Sequence, residues 1–230
     1  MIKNKSKDWK NFHLKSIKYN KFPKYPQELM LRTLFGRYSG LNLLFKKNTK
    51  IIDVGCGFGN NLIPFLNLGS KVYGVEIDKV ICNITMKILK KNFPNKDIHI
   101  KVGHNRSIPF KSNFFDLVMT NTLHYESSLY DVNKALIEYS RVIKKNKFLY
   151  ITTTGNKSDF YKKTKKISKN IYKISDKKDK IRFGKNFFFF ENENFFKKVL
   201  SKHFTKVILG RDTDVINGNC TDVFMAICQK

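Results

Sequence analysis

Long apolar runs, paired cysteines and metal-binding clusters are all missing from this 230-residue sequence. No stretch approaches the roughly 18 consecutive apolar residues of a membrane-spanning helix, and the positively charged start has no apolar run behind it. The four cysteines, Cys56, Cys82, Cys220 and Cys228, form no C-x-x-C pair and no close cluster with histidine. We therefore expect no membrane span, no secretion, no disulfide framework and no metal, and we expect a cytoplasmic protein.

Acidic residues and arginine are also scarce. The chain has 45 Lys and Arg against 18 Asp and Glu, a net charge of +27, yet only 6 of the basic residues are arginine. Segments 1–50 and 155–188 carry most of the excess, with 13 basic against 2 acidic and 12 against 3 residues. Arginine pairs with phosphates and bases better than lysine does, so A/T-rich codon usage is the favoured source of the lysines. An anionic substrate at the junction of the two basic segments is the alternative.

From Lys50 onward, short apolar runs alternate with segments of helical period, which is typical of a parallel sheet covered by helices. The pattern predicts a final antiparallel hairpin, 206–209 and 222–228, around Asn217 and Gly218. Asn60 is the predicted N-cap of the first core helix. The other predicted strands are 51–54, 72–75, 98–102, 114–119 and 148–153, and the core helices are 61–68, 80–93 and 131–145.

Two segments flank or interrupt this core. Residues 1–49 are predicted to form an N-terminal helical lid, and 50–230 the main domain. Within that domain, 155–188 is predicted to be a substrate lid, and the helical spacing of Ile167, Ile171 and Ile174 predicts a helix there. Phe187–Phe190 is predicted to be an extended segment that enters a helix at 191–200.

The strongest chemical motif is D-V-G-C-G-F-G-N at 53–60, where a strand runs into a glycine turn and then a helix. Glycines allow a sharp turn and let a ligand approach the backbone closely. The spacing is G-x-G-x-G rather than the G-x-G-x-x-G of dinucleotide-binding proteins, which disfavours pyrophosphate binding. Glu76 ends the next predicted strand, where a carboxylate can accept hydrogen bonds from both ribose hydroxyls.

These residues resemble the class I S-adenosylmethionine-dependent methyltransferases, especially the small-molecule and glycan-modifying, methyltransferase type 11-like members. The resemblance continues through G-H-N-R-S-I-P-F at 103–110, N-F-F-D-L-V at 113–118 and E-Y-S-R-V-I-K at 138–144, and covers about 50–154. It implies a Rossmann-like α/β fold: a doubly wound, mostly parallel seven-stranded sheet whose last strand is antiparallel. It also implies S-adenosyl-L-methionine as the cofactor.

The resemblance implies a set of cofactor-binding residues. The glycine loop is expected to hold the methionine part and Glu76 the ribose. The acid that usually contacts adenine is replaced, so this contact is expected to pass to His104 or to the Asn105 amide oxygen. The complete expected set is Asp53, Gly55, Cys56, Gly57, Gly59, Asn60, Glu76, Ile77, His104, Asn105, Arg106 and Asn121.

His124, just after the fourth strand, is the candidate general base for a hydroxyl acceptor, because it lies at the carboxyl end of the sheet and imidazoles titrate near neutrality. The alternative is that it packs beneath the cofactor. Segment 121–125 lacks the Pro-Pro associated with methylation of amino nitrogens in nucleic acid bases. The remaining acceptor candidates are Tyr25, Arg32, Tyr125, Tyr161 and Arg182.

The sequence therefore predicts an O-methyltransferase that acts on a small molecule or a sugar of a glycan, with an acidic acceptor favoured by the positive lid. One alternative is an RNA or protein methyltransferase that uses the basic arm and insert, although no recognisable RNA-binding module accompanies the core. The other is a non-catalytic homologue that retains the cofactor fold.

Overall fold

The computed structural model describes residues 2–18, 24–36, 40–41, 43–179 and 182–230. The chain divides into two compact units, 1–104 and 105–230. In the described ranges, no helix combines the length and apolar character needed to cross a lipid bilayer. Asn105 begins the second unit, so the division lies inside the predicted main domain.

The first unit starts with helices α1 (Ile2–Lys18) and α2 (Glu28–Leu34), as predicted for the described part of 1–49. Three parallel strands follow, and β2 pairs with both β1 and β3. Their bounds are β1 Lys50–Val54, β2 Lys71–Glu76 and β3 Ile98–Val102, with helices α3 (Ile63–Asn67) and α4 (Lys79–Asn92) between them.

The ends of these helices follow from local chemistry. The Asp78 carboxylate accepts the Val80 N–H at 2.8 Å and caps α4, which ends just before Pro94. Pro64 is tolerated because it lies in the first turn of α3. The prediction of Asn60 as an N-cap is wrong: Asn60 opens a 3-10 turn, and the left-handed Gly59 precedes it without a side-chain cap.

The second unit carries the rest of the main sheet. Strands β4 (Phe115–Thr120) and β5 (Ile143–Thr154) are parallel, with helix α5 (Leu129–Val142) between them in the chain. The three-stranded insert follows, and then α6 (Glu193–Leu200), β9 (Lys206–Ile216) and β10 (Asn219–Gln229). The predicted hairpin is confirmed, and Asn217 and Gly218, both with positive φ, make its turn.

The strand order of the seven-stranded sheet is β3-β2-β1-β4-β5-β10-β9. The last strand, β10, runs antiparallel to both β5 and β9. This confirms the predicted α/β, Rossmann-like architecture. The central strands are almost wholly buried, as expected where helices cover a parallel sheet.

The predicted helix in the insert is wrong. Three strands of the insert form an antiparallel sheet: β6 (Thr164–Ser168), β7 (Ile171–Ile174) and β8 (Asn186–Phe188). Asn170 adopts a left-handed conformation with φ of 62°, which ends any helix at this point and turns β6 into β7. Its buried side-chain amide donates to the Phe189 carbonyl at 2.9 Å. The isoleucine spacing that mimics a helix belongs to two different strands.

A buried carboxylate, that of Asp222, ties β10 to its neighbours. It accepts hydrogen bonds from Arg211 Nε at 2.8 Å, Thr213 Oγ1 at 2.7 Å and the Lys157 N–H at 2.8 Å. Burial by itself raises the pKa of Asp222, but these hydrogen bonds outweigh burial and hold the pKa below its usual value. Asp222 is therefore an ionised structural residue.

We expect Asp222→Ala to lower the free energy of unfolding by roughly 3 kcal/mol at pH 7, because Arg211, Thr213 and the Lys157 N–H all lose their acceptor. Urea denaturation measures the change. Asp214→Ala, at an exposed position of β9, is the control and should change stability by less than about 0.5 kcal/mol. Equal effects of the two substitutions would contradict the structural role of Asp222. The difference should begin to shrink below about pH 4, where Asp222 becomes protonated in the unfolded chain, and should vanish once the pH falls below the lower pKa of the folded protein.

Candidate cofactor and acceptor sites

The glycine loop directly follows β1 in the first unit. Gly55, Gly57 and Gly59 have φ values of 83°, 50° and 80°, a region that other residues seldom adopt. A side chain at Gly59 would also collide with Leu89 of α4, because its Cβ would lie 2.8 Å from Leu89 Cδ1. The Val75 carbonyl accepts the Gly55 N–H at 2.8 Å, which anchors the loop to β2.

Glu76 connects the end of β2 to this loop. Its carboxylate accepts the Gly57 N–H at 3.1 Å through Oε2 and the Ile77 N–H at 2.8 Å through Oε1. The Thr85 hydroxyl donates to the Gly57 carbonyl. Three of the predicted cofactor residues, Gly57, Glu76 and Ile77, thus lie together. Each carboxylate oxygen keeps a further lone pair with which it can accept a hydroxyl.

Asp53 lies at the buried end of β1, and only 3% of its surface is exposed. Burial, and after it the nearby Glu76 carboxylate, raise its pKa to about 7 against the opposing effect of a hydrogen bond from the Asn61 side chain. Asn61 Oδ1 in turn accepts the Gln27 N–H at 3.0 Å, which connects the start of α2 to the glycine loop. Near neutral pH, Asp53 in the protein alone is present in both protonated and ionised forms.

Cys56 is a packing residue of the loop. Its thiol is buried against Gly74, where a Cβ would lie 2.7 Å from Cys56 Sγ. Burial raises the pKa of this thiol well above its usual value, and the carboxylates of Glu76 and Asp53 raise it further. A thiol with such a pKa stays neutral, so Cys56 shapes the loop and supplies no nucleophile.

In the second unit, Asn105 belongs to a buried polar network. Its amide group donates to Glu126 Oε1 at 3.0 Å, and its carbonyl oxygen accepts from Thr122 Oγ1 at 3.0 Å. Arg106 Nε lies 3.1 Å from Glu126 Oε2, and Arg106 Nη1 lies 2.6 Å from Asp131 Oδ1. These contacts orient the segment that follows β4. The ion pairs of Arg106 with Glu126 and Asp131 are part of this structural network. The adenine contact expected of Asn105 stays a prediction, for which its oxygen keeps one lone pair.

The other predicted residues are His104, Asn121, Tyr25 and Arg32. His104 is partly buried at the end of the first unit, and Asn121 directly follows β4. Tyr25 is 81% exposed. Arg32 Nε lies 3.7 Å from Glu28 Oε1 one turn earlier in α2. The positions of Tyr25 and Arg32 do not by themselves identify a ligand for either residue. Their proposed roles in binding the acceptor substrate stay predictions.

Two predicted acceptor residues, Tyr125 and Tyr161, belong to what we call the aromatic cluster, and a third, Arg182, packs on it. The cluster consists of Tyr125, Phe160, Tyr161, Tyr172, Phe187 and Phe189 around Ile174. The Tyr125 and Phe187 rings lie 5.3 Å apart, and Tyr161 and Phe189 lie 4.3 Å apart. The Arg182 guanidinium lies 4.8 Å above the Phe160 ring and is held by Asp179, with Nε 2.7 Å from Oδ2.

His124 borders this cluster in a 3-10 turn, Leu123–Tyr125, after β4. Its ring lies 4.1 Å from that of Tyr125, and its Nδ1 is buried without a hydrogen-bond partner among the residues described. Burial, followed by the charge of Arg182, lowers the pKa of His124 to about 3. The expectation of titration near neutrality is therefore wrong for the protein alone: His124 is a neutral imidazole at physiological pH.

Three residues near the glycine loop were absent from the sequence prediction: His13, Asn61 and Thr85. His13 is on α1, and its Nε2 lies 3.4 Å from the position that a Cβ at Gly57 would take. Thr85 is on α4 and Asn61 is in the 3-10 turn after the loop. Asn61 adjoins the recognised motif and is a signal that sequence reasoning could have used. His13 and Thr85 are brought to the loop only by tertiary packing.

The sheet order, with a glycine loop after β1 and an acid at the end of β2, defines the Rossmann-like class of methyltransferase folds. Residues 52–151 match the family model described as a methyltransferase domain. This match supports the resemblance drawn from the sequence motifs, and the solved structures of similar proteins share the fold.

Similar proteins extend this finding. A ubiquinone biosynthesis O-methyltransferase of Pelagibacter ubique is 29% identical over 107 residues, which cover 46% of this chain and 42% of that protein. This chain thus spans less than half the length of the curated relatives it matches. Among solved structures, a Pyrococcus horikoshii protein has a TM-score of 0.62 at 16% identity, covering 92% of this chain and 97% of its own. A SAM-dependent methyltransferase from Methanosarcina mazei has a TM-score of 0.63 at 16% identity, covering 80% and 93%.

The raised pKa of Asp53 predicts a pH-dependent stability. The unfolded chain ionises Asp53 near pH 4 and the folded protein near pH 7, so this residue stabilises the fold fully below pH 4 and progressively less up to pH 7. Asp53→Asn should therefore raise the free energy of unfolding at pH 8 by about 2–4 kcal/mol and change it little at pH 4.

Urea denaturation between pH 4 and 8, without added ligand, measures this difference. Asp214→Asn, at an exposed position of β9, should follow the wild-type pH profile. Parallel profiles for the wild type and Asp53→Asn would contradict a raised pKa at Asp53.

Proposed function

We propose that this protein transfers the methyl group of S-adenosylmethionine to a hydroxyl oxygen of a small molecule or of a sugar in a glycan. The observation that carries the proposal is the arrangement of the glycine loop and Glu76, in which a buried carboxylate orients the backbone of Gly57. Partial similarity to an O-methyltransferase of Pelagibacter ubique supports oxygen as the methylated atom.

The residues of the first unit fit this cofactor. Gly55, Gly57 and Gly59 offer a backbone surface free of side chains, which suits the methionine part. The Glu76 carboxylate can accept the two ribose hydroxyls through the lone pairs that Gly57 and Ile77 leave open. The two carboxyl groups near the loop, those of Glu76 and Asp53, also favour a positively charged ligand over an anionic one.

We propose that the aromatic cluster of the second unit holds the acceptor. Aromatic side chains bind the apolar faces of sugars and other rings, and their hydroxyl groups supply polar contacts. Tyr125 and Tyr161 are the proposed contacts, with Arg182 as a further, cationic one. The exposed lysines of β6 and β7, Lys165, Lys166 and Lys173, favour an acidic acceptor because they raise the local positive potential.

The bound cofactor would supply an electrophilic methyl group on a sulfonium. The protein then needs to align the acceptor oxygen, exclude water and remove the hydroxyl proton. The unpartnered Nδ1 of the neutral His124 can accept that proton. A protonated ether is a far stronger acid than imidazolium, so a base with a pKa of about 3 suffices once the C–O bond has largely formed.

Glu76→Gln tests the cofactor assignment. The amide replaces an acceptor oxygen with a donor that faces the N–H of Gly57 or Ile77, and it weakens the contact to ribose. The dissociation constant of S-adenosylmethionine should rise about 10- to 100-fold, the usual effect of losing a hydrogen bond to a charged group. Isothermal titration calorimetry measures this value, with the exposed Glu191→Gln as the control. An unchanged affinity would remove Glu76 from the cofactor site.

His124→Ala tests the acceptor side. With a cognate acceptor found by screening sugars and phenols, kcat should fall at least 100-fold while the affinity for S-adenosylmethionine stays within about threefold. His99→Ala on β3 is the matched control and should retain the wild-type kcat. If His124→Ala retains the wild-type kcat, His124 is not the base.

The RNA methyltransferase alternative predicts a different dependence of activity on salt concentration. With an RNA acceptor, log(kcat/KM) would fall steeply and linearly with log salt concentration, because phosphate contacts release counterions. A weak salt dependence with a small acceptor supports the proposal, whereas activity on RNA alone would overturn it.

A further inference from the structure

We propose that helix α1 is a cofactor-binding element, in which Nε2 of His13 accepts a hydrogen bond from the ammonium group of the cofactor's methionine part. This inference rests on the proposed function, and it adds a contact from a part of the chain outside the matched domain, 52–151. The residues on which it rests all lie in the first unit.

The two ring nitrogens of His13 have different roles. Nδ1 lies 2.8 Å from the Trp9 carbonyl oxygen one helical turn earlier. A carbonyl oxygen can only accept, so Nδ1 carries the hydrogen of this bond. In the neutral ring Nε2 then carries a lone pair and acts as an acceptor. The backbone of α1 thus selects the tautomer of His13.

Nε2 also points toward the glycine loop. It lies 3.4 Å from the position that a Cβ of Gly57 would occupy. The His13 ring meets Phe58 edge to face, with centroids 5.1 Å apart and planes at 88°. The neighbouring Phe12 ring lies 5.5 Å from the His13 ring, with the planes at 85°. These rings fix the imidazole plane beside Gly57.

As a hydrogen-bond acceptor, His13 Nε2 can bind only a group of the cofactor that donates a hydrogen. In the methionine part of the cofactor, the carboxylate and the sulfonium have no hydrogen to donate, whereas the ammonium has three. An acceptor nitrogen beside the loop proposed to hold this part therefore matches the ammonium. Any side chain at position 57 would both fill the space beside Nε2 and require a strained φ of 50°.

Trp9 provides a direct reporter of this contact. It is the only tryptophan of the chain, and its carbonyl is the partner of His13 Nδ1. Ligand binding at His13 should change the surroundings of the Trp9 indole, so intrinsic fluorescence should change saturably with S-adenosylmethionine. This readout needs neither an acceptor nor turnover.

The test titrates the wild type, His13→Ala, His13→Gln and the control His99→Ala by calorimetry and Trp9 fluorescence. The ligands are S-adenosylmethionine, S-adenosylhomocysteine and 5′-methylthioadenosine, which lacks the amino-acid part. His13→Ala should weaken the first two about 10-fold or more and leave methylthioadenosine within twofold. His13→Gln, whose amide oxygen can accept, should recover most of the affinity, and His99→Ala should match the wild type.

Two outcomes separate this inference from the proposed function. If the wild type binds S-adenosylmethionine and His13→Ala binds it equally well, the role of His13 is overturned and the proposed function stands. Equal weakening of all three ligands would likewise overturn the contact to the ammonium. If the wild type binds neither S-adenosylmethionine nor S-adenosylhomocysteine, the proposed function itself fails. Thermal unfolding of His13→Ala at the wild-type temperature confirms that an affinity loss is not a folding defect.

Discussion

The hydrogen bonds from Gly57 and Ile77 to the Glu76 carboxylate are the interactions on which the geometry of the glycine loop depends. They join the end of β2 to a loop of positive φ angles, which the Val75 carbonyl and the Thr85 hydroxyl also hold. The same carboxylate raises the pKa of Asp53, after burial. Placing two acids at one buried loop destabilises the protein alone and favours a cationic ligand. Stability and binding are thus coupled through a single pair of residues.

In the second unit, the central feature is how the insert forms its core. Its insert has few aliphatic residues for a core of its own, and it builds one from aromatic rings packed edge to face. Lysines can then occupy the exposed positions of β6 and β7 without disturbing the packing. Arg182 and Asp179 add a charged pair beside the rings, and this charge helps to keep His124 neutral. A neutral, desolvated imidazole has its lone pair available, which the proposed proton transfer requires.

Some elements of the structure agree with the prediction from the sequence, and the insert does not. The glycine loop, Glu76 and the hairpin turn at Asn217 were predicted because each requires a particular residue type at a particular place. The insert was predicted as a helix because three isoleucines have helical spacing, and short segments with few apolar residues fit either period. Asn170 decides between them, and its side chain holds the turn by a hydrogen bond to the carbonyl of Phe189, which directly follows β8. That partner is not visible in local sequence.

The sequence by itself determined the sheet architecture, the class of the domain and the position of the cofactor loop. These properties depend on short-range patterns: alternation of buried strands and amphipathic helices, and backbone turns that only glycine makes without strain. Only the tertiary structure decided the placement of His13 beside Gly57, the burial that lowers the pKa of His124, and the clustering of Tyr125 with Tyr161. Each of these depends on desolvation or contact between residues distant in the chain, and such effects follow from packing rather than from local sequence pattern.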